Sequence, residues 1–230
     1  MSPSDPLVAC EGAGRTYGTG ATATVALQAT DCVVRTGDRV ALVGPSGSGK
    51  STLLHLMAGL DRPTVGRVSW PAIGGPGALR PGPVAVIFQG PSLLPPLTVE
   101  ENVALPLILG GMVDQEAHRA ATITLDLLEL LDLRDKLPEE ISGGQAQRVA
   151  VARALAGEPT LILADEPTGQ LDRTNGAAVV DVLLAAAEHA GAALVVATHD
   201  PTVAERLPEV WELHSGRMTT THLKEEAWSR

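Results

Sequence analysis

A short apolar segment that runs straight into a glycine-rich loop constrains the fold of this chain more than any other feature. Residues 39–43 (Arg-Val-Ala-Leu-Val) have the pattern of a buried strand, and leucines at helical spacing follow from residue 53. Between them lies a segment in which glycines let backbone N–H groups wrap around phosphates, with a helix N-terminus behind them. The residues predicted to contact a nucleotide here are Gly44, Pro45, Ser46, Gly47, Ser48, Gly49, Lys50, Ser51 and Thr52.

Two positions of this loop have distinct predicted roles. Lys50 is placed to reach the β and γ phosphates, and the hydroxyl of Ser51 is placed to ligate Mg²⁺. The loop alone indicates only a nucleotide, and it would suit a small-molecule kinase or a GTPase equally well.

A pair of acids at the end of a second apolar strand narrows the chemistry. Leu161-Ile162-Leu163-Ala164 is followed by Asp165 and Glu166. An aspartate at a strand end can hold Mg²⁺, and a neighbouring glutamate can orient and deprotonate an attacking water. Acidic loop residues are common, but their pairing with a phosphate loop on one sheet favours nucleotide hydrolysis.

A second glycine-rich helix start lies upstream of these acids. Ile141 is followed by Ser142, Gly143, Gly144 and Gln145, and a helical pattern then runs to Gly157. A capped helix start explains Ser142, because serine is a preferred N-cap residue. It does not explain two glycines, which are poor helix formers. The pattern therefore predicts a second anion site that has no lysine, which argues against a small-molecule kinase.

The remaining pattern divides the chain into an alternating part and an inserted helical lobe. The lobe is predicted between Ser92 and Leu137, with a helix capped by Thr98 and a second helix over 115–131. Helices and strands alternate after it, which predicts a mainly parallel sheet covered on both faces. The other predicted helices are 143–156 and 174–190, and the other predicted strands are 23–34, 84–88, 160–164, 192–198 and 209–213.

Composition excludes several classes of function. The net charge of −10 argues against broad binding to nucleic acid or to an anionic membrane surface. We find no apolar run of membrane-spanning length and no signal-peptide pattern, so we expect a cytosolic chain held at any membrane by another protein. Cys10 and Cys32 fit no metal spacing and are interpreted as small buried residues rather than a disulfide.

Taken in order, these motifs resemble the nucleotide-binding subunit of an ABC transporter over nearly the whole chain. The resemblance makes residues 44–51 the Walker A loop, Asp165 the Walker B ligand of Mg²⁺ and Glu166 the catalytic base. It makes residues 142–145 the signature that faces the γ-phosphate held by the other subunit. Four further roles are implied only by the resemblance: Gln89 links the catalytic site and its metal to the lobe, Asp172 crosses the dimer interface, His199 contacts the γ-phosphate and Tyr17 stacks on adenine.

The same resemblance implies a fold and a set of partners. We expect an α/β P-loop NTPase (RecA-like) core with an N-terminal antiparallel β-subdomain and an inserted α-helical subdomain. The chain is one domain, 1–230, in which 1–90 and 146–230 form the core and 91–145 the helical subdomain. The implied ligands are ATP and Mg²⁺. The implied partners are a transmembrane permease subunit and a second ATPase, identical or homologous. The alternative is a soluble non-transport ABC ATPase or a regulatory nucleotide-binding module.

Within that family, residues 97–103 and 164–172 resemble the branch of macrolide exporters and lipoprotein-releasing systems. The chain departs from the branch between Gly66 and Val84, where a Gly/Pro-rich loop stands, and at Gln170 and Ile141, where Asn and Leu are usual. Residues 93–107, an apolar stretch with three prolines, are a candidate docking surface for the membrane subunit. Ordinary packing of the lobe would explain this stretch equally well.

Overall fold

The computed structural model describes residues 5–169 and 171–223, so Gln170 lies outside the described residues. Nine strands and six helices follow one another along this part of the chain. The strands are β1 (Val8–Tyr17), β2 (Thr24–Val34), β3 (Arg39–Val43), β4 (Val65–Ser69), β5 (Val84–Ile87), β6 (Leu161–Asp165), β7 (Ala193–Thr198), β8 (Glu209–His214) and β9 (Arg217–Leu223). The helices are α1 (Lys50–Met57), α2 (Val99–Leu109), α3 (Asp114–Leu127), α4 (Gly143–Leu155), α5 (Arg173–His189) and α6 (Pro201–Ala204).

The main sheet has the order β5-β6-β7-β3-β8-β9 and is parallel except for β9. Strands β6 and β7 are buried along their whole length, as expected of strands covered on both faces. Helix α1 packs on one face, and α5 and α6 pack on the other. The predicted parallel α/β core is confirmed. The carboxyl ends of β3, β5, β6 and β7 meet at one edge, which is where such sheets bind ligands.

A second sheet of three antiparallel strands, β2-β1-β4, covers the α1 face. Strands β1, β4 and β9 were not placed by the sequence pattern. Cys10 and Cys32 pair across β1 and β2, and both thiols are buried and free, as interpreted from the sequence. The hydrogen bond between the Cys32 and Cys10 thiols, burial and nearby Asp31 raise the pKa of the Cys32 thiol, with the hydrogen bond the largest cause.

The junction of β1 with β4 depends on Gly66. Gly66 has φ of +70°, and a Cβ placed there would lie 2.0 Å from the carbonyl oxygen of Gly12. Gly12 and Gly66 lie between the paired residues Glu11–Arg67 and Gly14–Val65, so their backbone cannot move apart without disturbing that pairing. We expect Gly66→Ala to lower the free energy of unfolding by about 3 kcal/mol or more, measured by urea denaturation.

The matched control for this substitution is Gly75→Ala. Gly75 has an ordinary φ of −80°, and a Cβ there would meet no described atom within 4 Å. We expect a change of less than about 1 kcal/mol at this position. Equal urea midpoints for the two variants would contradict the role assigned to Gly66.

Helices α2, α3 and α4 form the lobe and share a hydrophobic core of their own. Thr98 caps α2 in a reciprocal arrangement with Glu101, as predicted for this helix start. Helix α3 ends at Leu127, earlier than the predicted residue 131, because Glu129 takes φ of +54° and the N–H of Leu130 turns back to the carbonyl of Leu125. The division at 91–145 stays a prediction.

The candidate docking stretch 93–107 contributes mostly to this lobe core. Val99, Val103 and Ala104 are fully buried, whereas Leu94 is 43% exposed. Packing, the alternative explanation for the stretch, therefore accounts for most of its apolar residues. None of the described helices is both long and apolar enough to span a lipid bilayer.

Candidate active site

A cleft of about 620 Å³ opens at the edge of the main sheet where the strands end. It is lined by residues 45–52 of the predicted phosphate loop, by Gln89 after β5, by Glu166 after β6 and by His199 after β7. Ala26 of β2 closes it from the antiparallel sheet. The structure thus brings together predicted residues that lie as many as 154 positions apart in the sequence (199 − 45).

The glycines of the loop are required by backbone that passes close to them. Gly44 has φ of +155°, and a Cβ there would lie 2.1 Å from the carbonyl oxygen of Leu213. Gly49, the residue before α1, has φ of +104°, and its Cβ would lie 2.4 Å from the carbonyl oxygen of Ala26. The loop is therefore held between β2 and β8 in a conformation that other residues cannot adopt.

Three polar side chains contact one another inside the cleft. Lys50 Nζ donates to the carbonyl oxygens of Gly44, at 2.8 Å, and Pro45, at 3.2 Å. The same nitrogen lies 3.6 Å from Glu166 Oε1. Glu166 Oε2 is 2.8 Å from His199 Nδ1, so the carboxylate bridges the lysine and the histidine.

Glu166 is held in an unusual backbone conformation. Its φ is +47°, a left-handed value that is uncommon for a residue other than glycine, and its N–H donates to the carbonyl of Ala197. Backbone strain of this kind is frequent at functional sites, where the surrounding structure enforces it. The bond to β7 fixes the carboxylate beside the phosphate loop.

Asp165 lies one residue earlier and is 9% exposed. Its Oδ1 atom is buried and has no hydrogen-bond partner among the described residues. An unpaired buried carboxylate oxygen is costly unless a cation or water satisfies it. Asp165 is not among the residues that line the cleft, whereas Ser51 and Gln89 are. The carboxylate, hydroxyl and amide oxygens of these three residues are of the kind that a hard divalent cation prefers.

The second glycine-rich segment does not line this cleft. Ser142 caps α4, because its Oγ accepts from the N–H of Gln145 while the Gln145 side chain accepts from the N–H of Ser142. Ser142 and Gly143 are both exposed. A Cβ at Gly143 would meet no described atom within 4 Å, so neighbours inside the chain do not require a glycine there. Asp172 is also exposed and outside the cleft lining.

Comparison with known proteins shows which family the chain belongs to. Residues 27–169, which run from β2 past the acid pair, match the model of the family described as ABC transporter. The chain belongs to the ABC transporter family. It is an ATP-binding subunit and an ATPase of that family.

Its relatives within the ABC transporter family include lipoprotein-releasing ATP-binding proteins. The LolD proteins of Legionella pneumophila (strain Paris) and Xylella fastidiosa (strain Temecula1) are 42% and 41% identical to this chain. These alignments cover 89% and 92% of this chain and 93% and 91% of the relatives. The ATP-binding cassette MJ0796, solved as a post-hydrolysis dimer with ADP and Pi, is 36% identical with a TM-score of 0.85, over 95% of this chain and 99% of the cassette.

Tyr17, for which the family resemblance implies stacking on adenine, lies near the cleft but is not one of the residues that line it. It ends β1 opposite Thr24, two residues before the cleft residue Ala26. Its side chain is 42% exposed, which leaves room for a ligand against the ring.

Two side chains on helix α4 with contacts near the cleft were missed by sequence reasoning. Gln147 Nε2 donates to the carbonyl oxygen of Phe88, at 3.3 Å. The Arg153 guanidinium donates to the carbonyl oxygens of Pro91 and Ser92, and burial lowers the pKa of this arginine. Both tie α4 to the segment around Gln89. The only sequence signal was the presence of long polar side chains in a helix rich in Ala and Val.

Proposed function

We propose that the chain is the motor of a membrane complex and works as a head-to-tail pair. In this pair, each ATP is bound by Lys50 of one subunit and by Ser142 to Gly144 of the other. The observation that carries the proposal is the open space at Gly143, together with the position of this segment outside the chain's own cleft. No neighbour inside the chain explains why residue 143 is a glycine. A glycine is expected at such a position if a ligand or another subunit approaches the backbone closely there.

Each cleft residue has a proposed chemical role. Lys50 binds the phosphates, while Ser51, Gln89 and Asp165 hold Mg²⁺, which neutralises phosphate charge when bound. Glu166 accepts the proton of the attacking water and His199 orients the γ-phosphate. The contacts of Glu166 with Lys50 and His199 give way when nucleotide enters, because the lysine turns toward the phosphates.

The change in nucleotide state passes outward through the contacts of α4. Gln147 and Arg153 hold the backbone of Phe88, Pro91 and Ser92 on either side of Gln89 and the loop after it. We propose that a shift of Gln89 toward the γ-phosphate therefore moves α4 and the signature at its start. In the pair, residues 142–144 of one subunit contact a γ-phosphate only when the other subunit holds ATP. ATP therefore favours the closed pair and ADP favours the open one.

We propose that the membrane subunit docks in a second cleft, of about 870 Å³, between the core and the lobe. Strand β5 forms one wall, and the C-terminal ends of α2 and α4 form the other. Leu109 and Met112, which are 69% and 40% exposed, give it an apolar rim, and Arg153 reaches from it to the loop after Gln89. A cytoplasmic segment of a permease seated there would sense the movement of α4.

The proposed work is mechanical handling of lipoproteins or peptides at the cell envelope, with the chain held on the cytoplasmic face of the membrane through its permease. The support for this branch is the similarity to lipoprotein-releasing ATP-binding proteins at about 40% identity over most of both chains. The second ATPase of the pair is an identical copy or a homologue, and the proteins that co-purify with the chain identify which.

Purification of the Glu166→Gln chain from native membranes in ATP tests the proposal, with the same preparation in ADP as the control. We expect a membrane protein with few spans and a large external domain to come with it in ATP. A partner with many spans would replace the proposed branch by solute transport. A closed pair with no membrane protein would overturn the motor proposal in favour of a soluble ATPase.

A further inference from the structure

Three charged or polar side chains from two distant parts of the sequence form a closed cluster near the cleft. Asp61 Oδ2 accepts from Arg15 Nε at 2.8 Å and from the Tyr17 hydroxyl at 2.9 Å. The guanidinium carbon of Arg15 lies 4.6 Å from the centre of the Tyr17 ring, over its face. Each of the three side chains thus contacts the other two, and only one face of the ring is covered by the cation.

The cluster is not a loose surface ion pair. Arg15 and Asp61 have side chains that are 24% and 23% exposed. Burial alone would raise the pKa of Asp61, but the backbone N–H of Arg62, the Tyr17 hydroxyl and the Arg15 guanidinium together lower this pKa below its usual value. The carboxylate is therefore held charged, with two of its hydrogen bonds aimed at the tyrosine and the arginine.

Asp61 also connects the tyrosine to the phosphate loop. Helix α1 starts at Lys50, and the N–H of Asp61 donates to the carbonyl of His55 in that helix. Three residues later, Thr64 joins the same segment to β1: its hydroxyl accepts from the N–H of Thr16 and its N–H donates to the carbonyl of Gly14. One helix of about 12 Å thus carries phosphate-binding groups at its start and the anchor of Tyr17 just past its end.

We propose that Asp61, with Arg15, is a positioning residue for the nucleotide base: it holds the Tyr17 ring at a set distance and angle from the phosphate loop, with one ring face left for adenine. The inference rests on the proposed function and on the stacking of adenine on Tyr17 that the family resemblance implies. The stacking of a base on an aromatic ring depends on the orientation of the ring plane. The Tyr17 ring is already held by its hydroxyl group and by the arginine on one face, so it loses little conformational entropy when the base binds.

Calorimetric binding of ADP and of tripolyphosphate to the full chain separates positioning from a general structural role. We expect Asp61→Ala to raise the Kd for ADP by about three- to tenfold. The Kd for tripolyphosphate, which has no base, should change by less than about twofold, and kcat at saturating ATP should be unchanged within the same range. Glu11→Gln, which removes the exposed pair of Glu11 with Arg67 in the same sheet, is the control and should alter none of these values.

The Tyr17→Ala variant separates two parts of the inference: the stacking of adenine on Tyr17, and the positioning of Tyr17 by Asp61. We expect it to raise the Kd for ADP at least as much as Asp61→Ala, and the double variant to match Tyr17→Ala alone. If Tyr17→Ala has no effect, the proposed role of Tyr17 is wrong and the inference falls with it. If Tyr17→Ala weakens ADP binding and Asp61→Ala does not, adenine stacking stands and positioning by Asp61 is wrong.

Two further outcomes bear on Asp61 alone. Equal weakening of ADP and tripolyphosphate binding by Asp61→Ala would show a structural role and overturn the inference. If Asp61→Ala does not fold, Tyr17→Phe keeps the ring and removes only the hydroxyl bond to Asp61. It should then raise the Kd for ADP but not for tripolyphosphate, and an unchanged Kd for ADP would overturn the inference.

Discussion

Replacing Glu166 by Gln is expected to lower kcat for ATP hydrolysis by about 10²- to 10⁴-fold, the range over which a positioned general base contributes. The amide has the size of the carboxylate and can still approach His199, which lies 2.8 Å from Glu166 Oε2. It cannot accept the proton of the attacking water. ATP affinity should be kept, because the phosphate loop and Lys50 are untouched. Steady-state kinetics with phosphate release as the readout measure both quantities.

Glu188→Gln is the matched control for this substitution. Glu188 is exposed near the end of α5, away from the cleft, so the same chemical change there should leave kcat and KM as they are. Retention of more than about a tenth of the turnover by Glu166→Gln would show that another group acts as the base.

Replacing Gly143 by Asp is expected to abolish ATP-dependent pairing and to lower turnover by about 100-fold or more, while the fold of the single chain is kept. Space is open at this position, and an acidic residue in the first turn of α4 favours the helix. In the proposed pair, however, the added carboxylate faces the γ-phosphate of the partner's ATP, and the two negative charges repel. Size-exclusion chromatography of the Glu166→Gln background in ATP measures pairing, and thermal unfolding measures the fold.

The Gly143→Ala variant separates the effect of the added charge from the effect of the added Cβ, since it places a Cβ in the same open space without a carboxylate. We expect it to lower turnover less than Gly143→Asp and to keep or slightly raise the unfolding temperature, because alanine is the better helix former. Binding of ADP to the single chain should be normal in both variants, because the segment does not line the chain's own cleft. A Gly143→Asp chain that pairs and hydrolyses ATP normally would contradict the proposed site between subunits.

The parts of the site that sequence reasoning reached are those in which local residue order dictates the chemistry. The loop needs Gly44 and Gly49 because backbone of β8 and β2 lies 2.1 and 2.4 Å from where their Cβ atoms would be, and Gly47 has φ of +75°. The acid pair follows an unbroken apolar strand, and the cap of α4 is complete within residues 142–145. Patterns of this kind are visible in a few consecutive residues, so a single sequence is enough to find them.

Features that depend on pairing between distant segments could not be found in this way. Strand β1 carries three register shifts against β2 and contains Gly12 and Gly14, which blur its alternation. Strand β4 is short, contains Gly66 and pairs with β1 rather than with a neighbour in sequence. The apolar stretch 93–107 could equally have been surface or core, and only the packing of α2 against α3 and α4 shows that most of it is core.

The sequence by itself determined the α/β class, the glycine-rich loop, the acid pair and the capped start of α4, because each is encoded in the local order of residue types. Only the tertiary structure decided which side chains meet. It placed His199 against Glu166, tied Gln147 and Arg153 to the backbone around Gln89, and brought Asp61 to Tyr17 from 44 residues away. Such contacts follow from the pairing of strands and the packing of helices, and their energies depend on distances that residue spacing along a chain does not contain.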